Sequence, residues 1–245
     1  MLGAVAAMCV AIKLASYYKI EKDTVIDLAF YLILFGILGA RVYAIFLELP
    51  YYIEHPLQTL EIWKGGLAIH GGIISGALVV YFFAKKKKIN FWLLSSLVVT
   101  VLPLAQTIGR WGNYFNQELF GLPTNLPWGI PIDILNRPVD YISFEYFHPT
   151  FLYESIGNLI IFLILIIINY YFIKKNIKNT NCYMLLVTCY LSAYSLLRFS
   201  LEFIRIDHTP TFFNLRTPQI ASLLIIIIVI ITIILPKYKK RDSLN

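Results

Sequence analysis

Polar residues of a few types gather in four short stretches of an otherwise apolar chain. His70 stands in "AIHGGIISG", and Arg110, Asn113, Asn116 and Glu118 stand in "GRWGNYFNQELFG", residues 109–121, which closes on Gly121. Glu154 ends "HPTFLYE", and Tyr194, Arg198, Glu202 and Arg205 occupy "YSLLRFSLEFIR". Arginine carries a planar, permanently charged fork that matches phosphate and carboxylate oxygens. An imidazole can accept a proton near neutral pH. Together these types suit the binding of an anion and the movement of a proton beside it. Each also has a plainer reading. Arg198 and Glu202, four residues apart, can neutralise each other as a structural pair. His70 can be a packed, hydrogen-bonded histidine at an interface, and Arg110 beside Trp111 can reach out to lipid headgroups.

The surrounding composition says what must position these groups. Of 245 residues, 58% are hydrophobic and 14% charged, and the mean hydropathy is +0.69. Soluble domains carry about a quarter charged residues, so the chain reads as an integral membrane protein. A formal charge of +7 raises the possibility of nucleic-acid binding, but the lysines fall in short clusters between apolar runs and not along one basic face. Nucleic acid is therefore not an expected partner. Cys9, Cys182 and Cys189 all lie in apolar stretches without metal-ligand spacing, and are expected to be buried thiols. No cleavable signal peptide is expected, since the first apolar run has no basic leader.

A membrane-crossing helix takes about 20 apolar residues. Stretches near 1–18, 25–48, 66–84, 91–108, 150–173, 181–201 and 217–236 qualify, which predicts an all-α, polytopic protein with seven transmembrane helices. The basic loops alternate: Lys19 and Lys22, Lys85 to Lys88, Lys174, Lys175 and Lys178, and Lys237, Lys239, Lys240 and Arg241 fall on one side. Basic loops face the cytoplasm, so the N-terminus is expected outside and the C-terminus inside. Trp63, Trp92, Trp111 and Trp128 fall near span ends, where indoles favour the interface. The long connection at about 109–149 is rich in Gly, Pro, Asn and aromatics and reads as a small extracytoplasmic cap of turns and irregular pieces.

This topology brings His70, Arg110, Glu154, Tyr194, Arg198, Glu202 and Arg205 to the outer leaflet. Residues 194, 198, 202 and 205 follow a four, four, three spacing, which predicts one polar helical face. Ala68, Gly72 and Gly76 recur every fourth residue, the small-residue pattern of closely packed membrane helices. Ionisable groups within spans are costly and mark function. Several arginines, a histidine and carboxylates in one leaflet suit an anionic, lipid-accessible substrate.

"HGGIISG", "GRWGNYFNQELFG", "HPTFLYE" and "YSLLRFSLEFIR" resemble, in order, the signatures of the phosphatidylglycerol:prolipoprotein diacylglyceryl transferase family. The resemblance runs from about Gly65 to the C-terminus. It implies a multi-pass enzyme of the bacterial cytoplasmic (inner) membrane with its active site facing the outer leaflet. The implied reaction transfers the diacylglyceryl group of phosphatidylglycerol to the lipobox cysteine of a prolipoprotein, forming a thioether and releasing glycerol phosphate. Carried over residue by residue, His70, Arg110, Asn113, Glu118, Gly121, Tyr194 and Arg198 match positions of importance, and Asn116, Glu154, Glu202 and Arg205 match further positions. The implied catalytic set is His70, Arg110 and Arg198, with no metal and no cofactor. His70 would take the proton of the substrate thiol, the arginines would hold the phosphate, Asn113 and Glu118 would hold the glycerol headgroup or orient Arg110, and Gly121 would allow a close approach.

Three features depart from the family pattern. The first helix is expected to be N-terminally truncated, because the chain begins "MLGAVAAM" just beyond a family segment that carries an important tyrosine. Phe151 stands where glutamine is usual, and Pro218 where glycine is common. A single transmembrane transferase domain over 1–245 is expected. Two other classes compete with the transferase reading: a lipid or anionic-solute transporter, and a noncatalytic lipid-binding membrane protein. A transporter predicts repeat symmetry or polar groups reaching both leaflets, and a noncatalytic protein predicts tolerance to loss of His70.

Overall fold

The structure, a computed structural model, describes residues 1–207 and 209–242, with side chains through Thr232. Its helices are α1 (Leu2–Tyr17), α2 (Lys22–Leu47), α3 (Leu49–Glu54), α4 (Ile69–Lys87), α5 (Phe91–Gly109), α6 (Trp111–Phe115), α7 (Thr150–Lys174), α8 (Thr180–Leu201) and α9 (Thr217–Asp242). Every apolar stretch that the sequence offers as a span falls on one of the longer helices. Four of them are long and apolar enough to cross a bilayer: α2, the run from Phe91 to Phe115, α7 and α8. α1 and the Thr217–Thr232 part of α9 are apolar but shorter. In α4, glycines and a terminal lysine run dilute the hydropathy. The chain is thus an all-α membrane protein. The basic residues Lys237, Lys239, Lys240 and Arg241 have side chains outside the described residues.

Residue contacts divide the chain into two compact units, Met8–Val98 and Met1–Ala7 with Val99–Asn245. The first is built on the pairing of α2 with α4. Sequence spacing points to Ala68, Gly72 and Gly76 as the close-packing positions, but the tightest point is Gly71. A Cβ there would collide with the Gly39 carbonyl oxygen and the Tyr43 Cβ, whereas at Gly76 the nearest atom is 3.8 Å away. The helix crossing therefore rests on Gly39 and Gly71, one small residue from each helix. α4 also starts three residues later than expected, because Gly65 and Gly66 adopt φ of 92° and 70°, which no right-handed helix contains. His70 consequently lies in the first turn of α4. The helix ends at Lys88 in the left-handed conformation, with Ile89 N–H donating to the Ala84 carbonyl, a common helix stop.

In the second unit, α7 buries a stripe through Phe151, Glu154, Ser155, Asn158, Ile161, Leu165, Asn169 and Phe172, the three-to-four spacing of one helical face. Ile161, Leu165 and Phe172 meet Leu186 and Tyr190 of α8. The Ser155 hydroxyl donates to the Thr107 carbonyl of α5 at 2.9 Å, and the Thr107 hydroxyl returns a bond to the Ser155 carbonyl at 3.3 Å. α8 begins under an Asn179 cap, whose side chain accepts from Cys182 N–H, as capping asparagines do. Cys9 is exposed and Cys182 and Cys189 are half-buried, which corrects the expectation of buried thiols. A small apolar side chain on a lipid-crossing helix needs no protein cover.

Residues 109–149 form more than irregular turns. Antiparallel strands β1 (Ile130–Pro131) and β2 (Tyr146–Phe147) close a small core of Phe120, Ile132 and Phe147. A second pair, β3 (Thr211–Phe212) and β4 (Leu215–Arg216), turns through Phe213 and Asn214 at φ of 51° and 61°. Two consecutive positive φ values are the turn geometry that matches strand twist.

Candidate active site

The motif 109–121 begins where α5 gives way to α6. Arg110 is the hinge between them, and its backbone keeps α conformation. Beyond α6 the chain takes positive φ at Gln117 (49°) and Leu119 (55°), conformations that cost energy for residues with a side chain and persist only where neighbours enforce them. The neighbours are visible. Gln117 Oε1 accepts from Asp133 N–H at 2.7 Å, its Nε2 donates to Asp133 at 2.9 Å, and the Thr150 hydroxyl donates to the Leu119 carbonyl.

The loop then delivers Gly121 into a strand-like bridge with Arg205, with its N–H donating to the His148 carbonyl at 2.9 Å. A Cβ at Gly121 would lie 2.8 to 2.9 Å from Ile204, His148 and Thr150. The expected close approach is therefore a packing of three segments onto this residue. Arg205 in turn lies past α8, which ends at Leu201. The single helical face expected for 194, 198, 202 and 205 holds only for the first three, because the chain leaves the helix after Glu202.

Leaving the helix lets Arg205 reach a different partner. Glu154, 2% exposed, sits between Arg110 (Nη2 to Oε1, 2.5 Å) and Arg205 (Nη1 to Oε2, 3.6 Å). Glu202, 1% exposed, sits between Arg198 (Nη2 to Oε2, 2.9 Å) and Arg216 (Nε to Oε1, 3.2 Å). Asp207 accepts from Arg205 Nε at 2.9 Å. Four arginines thus share three carboxylates, a balance of one positive charge. Tyr194, stacked on Tyr190 at 5.8 Å between ring centroids, faces Arg110, Arg198 and Glu154.

The contacts are charge pairs more than aligned hydrogen bonds. Glu154 Oε1 and both Glu202 carboxylate oxygens accept no well-directed hydrogen bond, and Arg198 Nη1 is buried with no acceptor among the described residues. Each buried carboxylate supplies counter-charge that keeps arginines tolerable away from water. It leaves guanidinium donor capacity for a further anion. Arg110 carries a second chain of contacts: its Nη1 donates to Asn113 Oδ1 at 3.3 Å, Asn113 Nδ2 donates to Glu118 Oε1 at 2.8 Å, and Asn116 Nδ2 donates to the same oxygen at 3.2 Å.

The remaining site residues lie elsewhere. His148 precedes α7, and its Nδ1 lies 3.1 Å from the Tyr153 hydroxyl, which accepts from Trp128 Nε1 at 2.8 Å. His70 belongs to the other unit, where its exposed ring lies 6.0 Å from that of Tyr43. Three members of the arrangement escape the sequence reading. Arg216 and Asp207 receive no role there, and Asn158, fully buried with its side-chain oxygen unpaired among the described residues, falls within a stretch read as an apolar span. Arg216 enters because the β3–β4 turn folds it back onto α8, where it also donates to the Glu202, Arg205 and Asp207 carbonyls.

The family model described as prolipoprotein diacylglyceryl transferase matches residues 1–235. Curated relatives named phosphatidylglycerol-prolipoprotein diacylglyceryl transferase include one from Nostoc sp., 43% identical over 223 residues, covering 89% of this chain and 77% of the relative. Another, from Acaryochloris marina, is 43% identical over 211 residues (86% and 74%), and one from Synechocystis sp. is 41% identical over 211 residues (85% and 72%). On the match of the family model over nearly its whole length, and of these relatives over most of it, the chain belongs to the prolipoprotein diacylglyceryl transferase family.

Proposed function

We propose that the protein transfers the diacylglyceryl group of phosphatidylglycerol to the lipobox cysteine thiol of prolipoproteins, the first step of bacterial lipoprotein maturation. The observation that carries the reading is the buried network of Arg110, Arg198, Arg205 and Arg216 on Glu154, Glu202 and Asp207. Its balance of one positive charge complements a phosphodiester, which carries one negative charge, and its guanidinium donors are incompletely used.

The chemistry follows from what the reaction needs. With a thiol pKa of about 8.5, only about 3% of the substrate cysteine is thiolate at pH 7, so a base raises the reactive fraction. His70 takes that proton. The sulfur electron pair then forms the C–S bond to the terminal glyceryl carbon as the C–O bond to phosphate breaks, and the bonding electrons leave on glycerol phosphate. Charge grows on that phosphate in the transition state, and fixed guanidinium groups stabilise it most when water is excluded. Arg110 and Arg198 hold the phosphate, Asn113, Asn116 and Glu118 orient Arg110 and read the headgroup glycerol, Tyr194 supports both arginines, and Glu154, Glu202 and Arg205 maintain the charge balance.

In this reading residues 1–245 act as one seven-span transferase domain of the inner membrane, with its N-terminus and the 109–149 cap outside. In support, Arg110 ends α5, Glu154 begins α7, Arg198 and Glu202 end α8, and Arg216 precedes α9, which is one side of the bilayer if successive spans alternate. A cysteine introduced at Asn125 would then react with an impermeant thiol reagent from outside, and one at Lys86 would not; the reverse pattern contradicts the orientation. The function itself is tested with purified protein, phosphatidylglycerol vesicles and a lipobox peptide. The expected product is a peptide heavier by one diacylglyceryl group, with glycerol phosphate released in equal amount. No mass gain from folded protein would refute it.

A further inference from the structure

Outside the arginine network, one more arginine is buried among the described residues, and none of their acidic groups pairs with it. Arg41, 6% exposed, lies near the end of α2 and pairs with no carboxylate among the described residues. Its guanidinium instead donates to four backbone carbonyls of one segment: Nε to Thr59 at 3.0 Å, Nη1 to Gly65 at 2.8 Å and Gly66 at 2.9 Å, and Nη2 to Gln58. The Tyr52 ring lies 5.1 Å from its charge centre. Burying a cation against carbonyl dipoles alone is costly, and an uncharged side chain would serve if only the packing mattered. The use of four of its five N–H groups on one segment identifies its work as fixing that segment's path.

That path leads to His70. Gly66 has φ of 70°, and a Cβ on it would come within 2.5 Å of Arg41 Nη1 and 2.9 Å of the Tyr52 hydroxyl. Two residues on, Ala68 N–H donates to the Ala40 carbonyl at 3.0 Å, and α4 begins at Ile69. The clamp therefore sets where the first turn of α4 starts, and with it the imidazole against Tyr43. We propose that Arg41 is a positioning residue for His70, holding the imidazole where it can take the proton of the substrate thiol. The inference rests on the reading of His70 as that base. Tyr43 of α2 is the titratable group described against the His70 ring, while Arg41 and Tyr52 pack at the segment before it, which itself carries the Glu61–Lys64 pair.

The test uses the full chain in phosphatidylglycerol vesicles with a lipobox peptide, and compares turnover at pH 7 and pH 9.5. At pH 9.5 about nine tenths of a thiol with pKa about 8.5 is already thiolate, so a defect in proton removal closes and a defect elsewhere does not. Arg41→Lys keeps the charge but cannot reach four carbonyls with three donors. Gly66→Ala disturbs the clamp and leaves Arg41 in place. Both are expected to lower turnover at pH 7 by about tenfold or more with unchanged phosphatidylglycerol affinity, since small misplacements of a reacting group are costly. The deficit should close to within about threefold at pH 9.5, and Arg41→Lys should add nothing to His70→Gln, which has lost the base it would position. An equal deficit at both pH values, no deficit, or failure of both variants to fold would overturn the role of Arg41. If the deficit of His70→Gln itself persists unchanged at pH 9.5, the base reading is the one that fails, and the clamp loses this purpose with it.

Discussion

Arg41 and Arg205 are buried to nearly the same depth, 6% and 8% exposed, in opposite company. Arg41 is enclosed by carbonyl oxygens of a single backbone segment, whereas Arg205 belongs to a network in which four arginines divide three carboxylates. Carbonyl dipoles with fixed directions use up a guanidinium's donors and immobilise the chain that presents them. Carboxylates compensate charge from several sides and leave some donors unaligned, as at Arg198. The first arrangement suits a structural clamp and the second a site that receives an anion. The residue type is the same, and the difference lies in what faces it.

The contrast breaks most severely at Glu202. Replacing it with alanine leaves Arg198 and Arg216 buried without a shared counter-charge, so stability should fall by about 3–5 kcal/mol, read as thermal unfolding in detergent. A loss under about 1 kcal/mol would mean the pairs are screened as surface pairs are. Next in size is Gly121→Ala. A methyl group among Ile204, His148 and Thr150 at 2.8 to 2.9 Å should cost about 1–3 kcal/mol of stability, as overpacking does, and should displace the segment after α8 that carries Arg205. An alanine variant as stable and active as the parent would show that the three neighbours can yield. The smallest expected effect sharpens the arginine side of the comparison. Asn113→Ala removes the bridge between Arg110 and Glu118, a contact to charged groups of about 1.5–3 kcal/mol. Half-exposed, it should act at the low end, lowering turnover roughly tenfold while leaving the unfolding temperature unchanged. A parallel loss of stability would make Asn113 a folding residue.

Much of this arrangement is legible in the sequence, and the illegible parts have a common cause. Apolar runs of spanning length announce the long helices, because a helix in lipid must satisfy its backbone internally and present apolar side chains. The i, i+4 pair of Arg198 and Glu202 follows from helical spacing alone. Arg216 does not, since its partner Glu202 is reached through a two-residue turn whose positive φ values fall on Phe213 and Asn214 without a glycine to mark them. Arg205 is misassigned to the helical face for a related reason: α8 stops at Leu201 without a glycine or proline signal. The small-residue repeat of α4 correctly points to close packing but not to Gly71, because the contact also depends on Gly39 of the facing helix. Arg41 carries no local signature, since its partners are backbone carbonyls 17 to 25 residues away. Local periodicity reveals what one element does by itself, and returns of the chain require the fold.

The central claim is that fixed guanidinium groups stabilise the departing phosphate. Lysine keeps the charge and loses the fork, so Arg198→Lys separates geometry from electrostatics within the same network. The decisive measurement is kcat for diacylglyceryl transfer beside the affinity for phosphatidylglycerol, in folded Arg198→Lys and Arg110→Lys proteins of normal thermal stability. The account predicts a fall in kcat of about 100-fold or more, the usual cost of losing a donor to a developing negative charge, with lipid affinity reduced far less. Unchanged kcat in both folded variants would contradict it.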